Sequence, residues 1–96
     1  MVVHIVMFKF KEENREENIK KVTMLLEELP SKISKIRTME VGRDFSNSER
    51  SFDMSLYSTF ESVEDLKAYA VDESHLHVVE FIKKVTVESK VVDYFK

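Results

Sequence analysis

The chain contains three histidines, and these are the side chains best suited to acid-base chemistry near neutral pH. They are His4, His75 and His77. An imidazole gains or loses a proton close to physiological pH, so it can take a proton from a substrate and return it. His75 and His77 are two positions apart and would diverge on a helix. With no cysteine in the chain and no carboxylate at ligand spacing, we predict no metal site.

His4 lies in an apolar segment near the start of the chain. Its neighbours favour a hydrogen-bonded histidine of the core, and a contact to a ligand is the alternative. Phe8 is on the same side of the predicted strand as His4. The phenylalanines are numerous for so small a protein, and they either fill the core or line an apolar pocket. We therefore take His4 and Phe8 as candidate ligand-binding residues.

The composition narrows the classes of function. The net charge is −3 and the basic residues are scattered, whereas a nucleic-acid-binding surface clusters them. One glycine leaves no phosphate-binding loop, so we expect no nucleotide cofactor. No apolar run approaches the ~20 residues that span a bilayer, and the first segment lacks the features of a signal peptide. We expect a cytoplasmic protein with no cofactor and no nucleic-acid or membrane partner.

The 96 residues predict one domain, residues 1–96, with one core. Asn14 and Glu17 predict a capping box at the first helix, Pro30 predicts its end, and Ile33 with Ile36 suggests one further helical turn. The predicted strands are residues 3–10, 38–45, 52–60 and 90–95. The first predicted helix is residues 13–29. A second helix is capped by Ser62, with Asp65 at the capping-box position, and a further helical stretch starts near His75.

The order of these elements predicts an α+β fold of the ferredoxin-like βαββαβ type. Two right-handed crossovers place the helices on one face of a four-stranded antiparallel sheet. The other face is then bare, although the first strand carries apolar side chains on both of its faces. An exposed apolar face of this size is an aggregation hazard. We therefore predict a homodimer that packs open sheet face against open sheet face.

Several segments resemble the stress-responsive dimeric α/β-barrel (Dabb) family. The family's typical opening strand is similar to residues 4–11, and its "EVG" strand to residues 39–44. Residues 53–66 resemble its strand, turn and helix start, and residues 91–94 its closing "VVDY" strand. Residues 69–75 resemble a Tyr-x-x-His-Pro-x-His motif, with Asp72 and Glu73 in place of His-Pro and the final His75 retained. The resemblance runs nearly end to end and implies a dimeric α/β barrel.

The resemblance also implies a function and a site. Family members are often associated with stress responses, and most have no assigned reaction. Some plant relatives are cofactor-free polyketide cyclases that use a His and a Tyr. By this resemblance His75 would be the base, Asp93 would orient its ring, and Tyr69 would donate to a developing oxyanion. Such a site requires His75 and Asp93 within hydrogen-bond reach beside a cavity of roughly 300 Å³ or more.

Three functions stay open at this point. The first is a stress-responsive homodimer that binds a small apolar ligand, with His75 in a structural role. The second is a cofactor-free, polyketide-cyclase-like enzyme that uses His75, Asp93 and Tyr69 on an apolar carbonyl compound. The third, a haem-handling monooxygenase, is remote because no second assisting motif is present.

Overall fold

The structure is a computed structural model that describes the whole chain, from Met1 to Lys96. Its elements are β1 (Val2–Phe10), α1 (Arg15–Lys32), β2 (Ile36–Arg43), β3 (Met54–Phe60), α2 (Val63–Val71), α3 (Glu73–Val85) and β4 (Thr86–Phe95). The strands form one antiparallel sheet in the order β2-β3-β1-β4. The predicted ferredoxin-like βαββαβ fold is confirmed, with its second helix divided into α2 and α3.

The core lies between the sheet and the three helices. Even-numbered side chains of β1 and β3 face the helices, because alternate residues of a strand point to opposite faces. The core side chains include Phe8, Phe10, Met54, Leu56, Phe60, Ile19, Val22, Leu26, Leu29, Tyr69, Val78 and Ile82. Burial of this apolar surface is the main force that holds the helices on the sheet.

Helix α1 differs from its prediction at both ends. Pro30 lies inside the helix, which continues to Lys32. Proline removes only one backbone hydrogen bond there, and the last turn is retained because Ile33 N donates to Leu29 O at 2.8 Å. Ile33 has extended backbone and Ile36 begins β2, so the further turn predicted there is not helical; it is a single turn in which Ile36 N donates to Ile33 O at 3.3 Å. Asn14 is the N-cap residue, but its backbone is left-handed (φ 53°) and its side chain makes no capping bond.

The second helical region follows its prediction more closely. Ser62 caps α2 by accepting a hydrogen bond from Asp65 N at 3.1 Å, as predicted. Asp72 has extended backbone and separates α2 from α3, and its carboxylate accepts a bond from Ser74 N at 2.8 Å. This break places Tyr69 near the end of α2 and His75 in the first turn of α3. Helix α3 begins at Glu73, two residues before its predicted start.

The strands also shift at their ends. β2 stops at Arg43, and Phe45, which was predicted to lie in this strand, is 95% exposed in the loop beyond it. β4 begins at Thr86, four residues earlier than predicted, because it follows α3 directly. The face of the sheet opposite the helices carries exposed apolar side chains, among them Met7 and Val92. No helix is long and apolar enough to cross a membrane.

Candidate functional site

His4 and Asp93 form the first part of the site. β1 and β4 pair antiparallel with His4 directly opposite Asp93, so both side chains lie on the helix-facing side of the sheet. The Nδ1 atom of His4 is 2.5 Å from Oδ1 of Asp93, and the His4 side chain is only 17% exposed. Since a carboxylate accepts the bond, Nδ1 carries the hydrogen and Nε2 is left as the acceptor.

This pairing corrects the predicted one. Asp93 was expected to orient His75, but it binds His4 instead. The physical reason is strand register: opposite residues of an antiparallel pair are direct neighbours, whereas His75 is on a helix above the sheet. The pairing of His75 with Asp93 is therefore wrong, although the same residues gather in one region.

Tyr69 lies between the two histidines. Its ring centroid is 4.1 Å from that of His75 and 6.3 Å from that of His4, and Phe60 packs against it at 5.0 Å. The residue is 1% exposed, and its hydroxyl oxygen is buried without a hydrogen-bond partner. Burial raises the pKa of the Tyr69 phenol, so the group stays protonated and can act as a donor.

His75 is held by a neutral partner. Its Nδ1 atom is 3.1 Å from the carbonyl oxygen of Ala70, which can only accept. Nδ1 therefore carries the hydrogen, and Nε2 makes no hydrogen bond. Partial burial lowers the pKa of His75, and the nearby His4 lowers it further, while the bond to Ala70 opposes this shift. His75 is thus biased toward its neutral form.

The two histidines and Tyr69 border a cavity between the sheet and α3, which we call the helix-side cavity. Its volume is about 200 Å³, and most of its wall is apolar. Four of the five predicted site residues line it: His4, Phe8, Tyr69 and His75. Asp93 does not line the cavity, and it is linked to the cavity only through its hydrogen bond to His4. The volume is below the roughly 300 Å³ expected for an active site of this kind, so only a small ligand would fit.

A larger concavity of about 420 Å³ lies elsewhere, at the open sheet face beside the loop between β2 and β3. Its wall includes Met7, Arg43, Phe45 and Phe52, but no histidine or tyrosine. The groups able to exchange protons are therefore concentrated at the smaller cavity. His77 is exposed and outside both, and no three His, Asp or Glu side chains group as metal ligands.

The sequence prediction missed the three other polar residues that line the helix-side cavity: Lys83, Thr86 and Ser89. They lie at the junction of α3 with β4, which the sequence did not place correctly. Helical spacing could have found Lys83, since it lies eight positions after His75 and thus on the same face of α3.

Fold and site together define a ferredoxin-like α+β protein with a cavity lined by two histidines and a tyrosine. The model of the Dabb family, described as the stress responsive A/B barrel domain, matches residues 2–96. The chain therefore belongs to the Dabb family. No curated protein matches the chain at a significant level.

Solved structures show the same fold. A dimeric protein of unknown function from Bacteroides fragilis, with a ferredoxin-like fold, is 32% identical; the match covers 97% of this chain and 93% of that one, with a TM-score of 0.87. A Dabb family protein from Mesorhizobium loti is 17% identical over 99% and 95% of the two chains, with a TM-score of 0.84. A hydroxynitrile lyase from Passiflora edulis is 20% identical over 97% and 90%, with a TM-score of 0.87.

Proposed function

We propose that this protein binds a small, mainly apolar molecule with one hydroxyl or carbonyl group in the helix-side cavity. The observation that carries the proposal is the Tyr69 hydroxyl, which is buried and has no hydrogen-bond partner. A buried polar group left unpaired costs about 1–3 kcal/mol. Such groups are rare in native proteins, and a ligand bound in the adjoining cavity would complete the bonding of this one.

The rest of the cavity fits this ligand. Val6, Leu56 and Val79 offer apolar surface to its body. The Nε2 atoms of both histidines are free of hydrogen bonds within the protein, so they can accept from a ligand hydroxyl. A few polar groups that converge on an otherwise apolar cavity are typical of small-molecule sites.

A ketone titration tests this proposal. We expect 2-heptanone to shift the amide resonances of α3 in the ¹⁵N-labelled protein. Tyr69→Phe should weaken binding by about three- to tenfold, because one hydrogen bond of ordinary strength is lost. Tyr94→Phe removes a hydroxyl from the open sheet face and should leave the affinity unchanged. An unchanged affinity in Tyr69→Phe, or no response of the cavity residues to the ketone, contradicts the proposal.

We also propose that the protein forms a homodimer through the open sheet face. Met7 is 41% exposed, Val92 57% and Tyr94 43%, so the single chain leaves these apolar side chains of the open sheet face in water. The similar protein from Bacteroides fragilis is described as dimeric. Cytoplasmic location and a role in a stress response stay predictions.

Sedimentation measures the oligomeric state directly. We expect a dimer at micromolar concentration, and Met7→Glu should convert it to monomer because a charge would be buried in the interface. Met24 is also exposed, at 60%, but lies on the outer side of α1. Met24→Glu is therefore the matched control and should remain dimeric. A monomeric wild-type protein would refute the dimer.

Acid-base catalysis without a cofactor is a second candidate, and the hydrogen bond between His4 and Asp93 favours it. A carboxylate at Nδ1 orients an imidazole and stabilises the imidazolium that forms when Nε2 takes a proton. In a bound ketone, His4 would take a proton from the carbon next to the carbonyl. The electron pair of that C–H bond would move to the carbonyl oxygen, where Tyr69 would donate a hydrogen bond. Apolar polyketides belong to this substrate class, and the Passiflora edulis hydroxynitrile lyase shares the fold.

Exchange of ketone α-hydrogens in D₂O tests this chemistry without knowledge of the natural substrate. We expect the wild-type protein to accelerate deuterium uptake into 2-heptanone. Asp93→Asn should slow uptake at least tenfold while leaving ketone affinity nearly unchanged, since general-base catalysis typically contributes about 10²–10⁴-fold. Binding without exchange would leave the ligand-binding proposal standing and exclude this catalysis on simple ketones.

A further inference from the structure

The helix-side cavity has two chemically different ends. His75, Val79 and Lys83 lie along one face of α3 at intervals of four residues, and all three line the cavity. Eight residues of helix rise about 12 Å, so His75 and Lys83 stand far apart along the cavity. One end therefore carries the His and Tyr groups, and the other carries Lys83.

The pairing of β1 with β4 also places different side chains at the two ends of the cavity. β1 pairs with β4 so that His4 lies opposite Asp93 at one end and Phe8 lies opposite Ser89 at the other. Ser89 and Thr86 line the cavity beside Lys83, and the Thr86 hydroxyl donates to Ile82 O at 2.8 Å. The far end thus combines the polar side chains of Thr86, Ser89 and Lys83 with the ring of Phe8, and it contains neither histidine nor tyrosine.

Charge distinguishes this end from the rest of the cavity. Lys83 is the only lining residue with a permanent charge, and no carboxylate lines the wall. The ammonium group of Lys83 has no salt-bridge partner and makes no hydrogen bond. Asp93, the acidic group associated with the cavity, is engaged by His4 at the opposite end. Lys83 is an exposed residue, so its side chain is also in contact with solvent, and it places the one cationic group of the wall at one end of the cavity.

We infer that the ligand of the helix-side cavity is a small apolar monocarboxylic acid whose carboxylate pairs with Lys83. The inference rests on the proposed ligand-binding function and adds the chemical class and the orientation of the ligand. The acid group lies at the Lys83 end, and the apolar body passes between Phe8 and Val79. Any hydroxyl or carbonyl group then lies beside Tyr69. Lys83 is in this way a specificity-determining residue, separate from the acid-base groups.

The cavity volume limits the apolar body. A dry apolar cavity of about 150 Å³ accepts benzene. About 200 Å³ therefore holds one ring or a medium-length aliphatic chain with a small substituent. Two classes of carboxylic acid fit this limit: medium-chain aliphatic acids and aromatic acids with a single ring.

Paired probes of equal size test the inference. Octanoate is compared with 1-octanol, and 4-ethylbenzoate with 4-ethylbenzyl alcohol, by NMR titration of the wild-type protein. We expect at least one acid to bind about three- to tenfold more tightly than its alcohol, the range for a partly solvated ion pair. The acid that shows this preference identifies the class. The preference should weaken in about 1 M NaCl, because the Debye length falls to about 3 Å and the exposed part of the ion pair is screened.

Lys83→Met keeps the apolar stem of the side chain and removes its charge. This variant should lose the preference for the acid and keep the affinity for the alcohol, whereas Lys83→Arg should keep both. Lys84→Met is the matched control, because Lys84 is an exposed neighbour that does not line the cavity. It should behave as the wild type.

The outcomes separate this inference from the proposed function. If neither acid binds more tightly than its alcohol, the proposal of a carboxylate ligand is overturned. The proposal that the cavity binds a small apolar molecule then still stands. The same conclusion follows if 2-heptanone binds and neither acid does. An acid preference that survives Lys83→Met also overturns the role of Lys83. If no ketone, alcohol or acid reaches the cavity, both proposals fail together.

Discussion

His4 and His75 border the same cavity, but different partners hold their rings. On the sheet, His4 donates from Nδ1 to the Asp93 carboxylate at 2.5 Å. On α3, Nδ1 of His75 bonds the carbonyl of Ala70 at 3.1 Å. A carboxylate stabilises the charged imidazolium, whereas a carbonyl fixes the same tautomer with much less stabilisation of charge. The cavity thus contains one histidine held by a carboxylate and one held by a neutral carbonyl group.

Tyr69 connects these two regions, and its removal should have the largest effect. Tyr69→Ala deletes a fully buried ring that contacts His75 and Phe60. We expect the free energy of unfolding to fall by about 3–5 kcal/mol, as for other buried aromatic residues. Urea denaturation measures this change. Phe45→Ala, at an exposed loop position, should change stability by less than about 0.5 kcal/mol. A loss below about 1 kcal/mol for Tyr69→Ala would mean that the region is loosely packed.

The two histidines differ in their partners only if Asp93 binds His4 and not His75. Asp93→Ala leaves the Nδ1–H of His4 unpaired and should lower the free energy of unfolding by about 1–2 kcal/mol. In double-mutant cycles, Asp93→Ala should couple to His4→Ala and not to His75→Ala. Glu49→Ala, at an exposed acidic residue with no salt bridge, should be neutral. Coupling of Asp93 to His75 would restore the pairing predicted from the sequence.

Tyr69→Phe should act in the opposite direction to Tyr69→Ala. It keeps the ring and removes the unpaired hydroxyl, so the ligand-free protein should become more stable by about 1 kcal/mol. Thermal unfolding without added ligand measures the gain. A loss of stability would show that the hydroxyl already has a partner, such as a bound water, and would weaken the argument for a ligand.

The pH dependence of stability should show the smallest effect, because His75 is only partly buried. The pKa of His75 is lowered from 6.5 in the folded protein, so between that lowered value and pH 6.5 the unfolded chain binds more protons. Stability should therefore rise with pH through this window and level off above pH 6.5. His75→Gln should flatten the rise, and His77→Gln should not. A rise of equal size in His75→Gln would assign the effect to another group.

Much of the fold was predictable because its signals are local. Ile19, Val22, Leu26 and Leu29 repeat at helical spacing, and all four are buried in α1. Ser62 precedes a helix start and caps it. The errors occur where tertiary contacts override a local signal. Pro30 does not end α1, because buried neighbours such as Leu29 and Ile33 keep the last turn packed.

The site was predictable only in part. Tyr69 and His75 are six residues apart, so one turn between two helices brings them together. His4 and Asp93 are 89 positions apart, and no local pattern links them. Lys83 was overlooked because a lysine in the last turn of a helix ordinarily serves the helix dipole and solvent.

The sequence by itself determined the elements, their order and the two apolar faces of β1, since these depend on side-chain period and composition. It also supplied the residues able to exchange protons. Only the tertiary structure decided which histidine Asp93 binds, because strand register is set by packing and hydrogen bonding between distant segments. It likewise decided that the Tyr69 hydroxyl is buried without a partner and that Lys83 is the charged end of the same cavity.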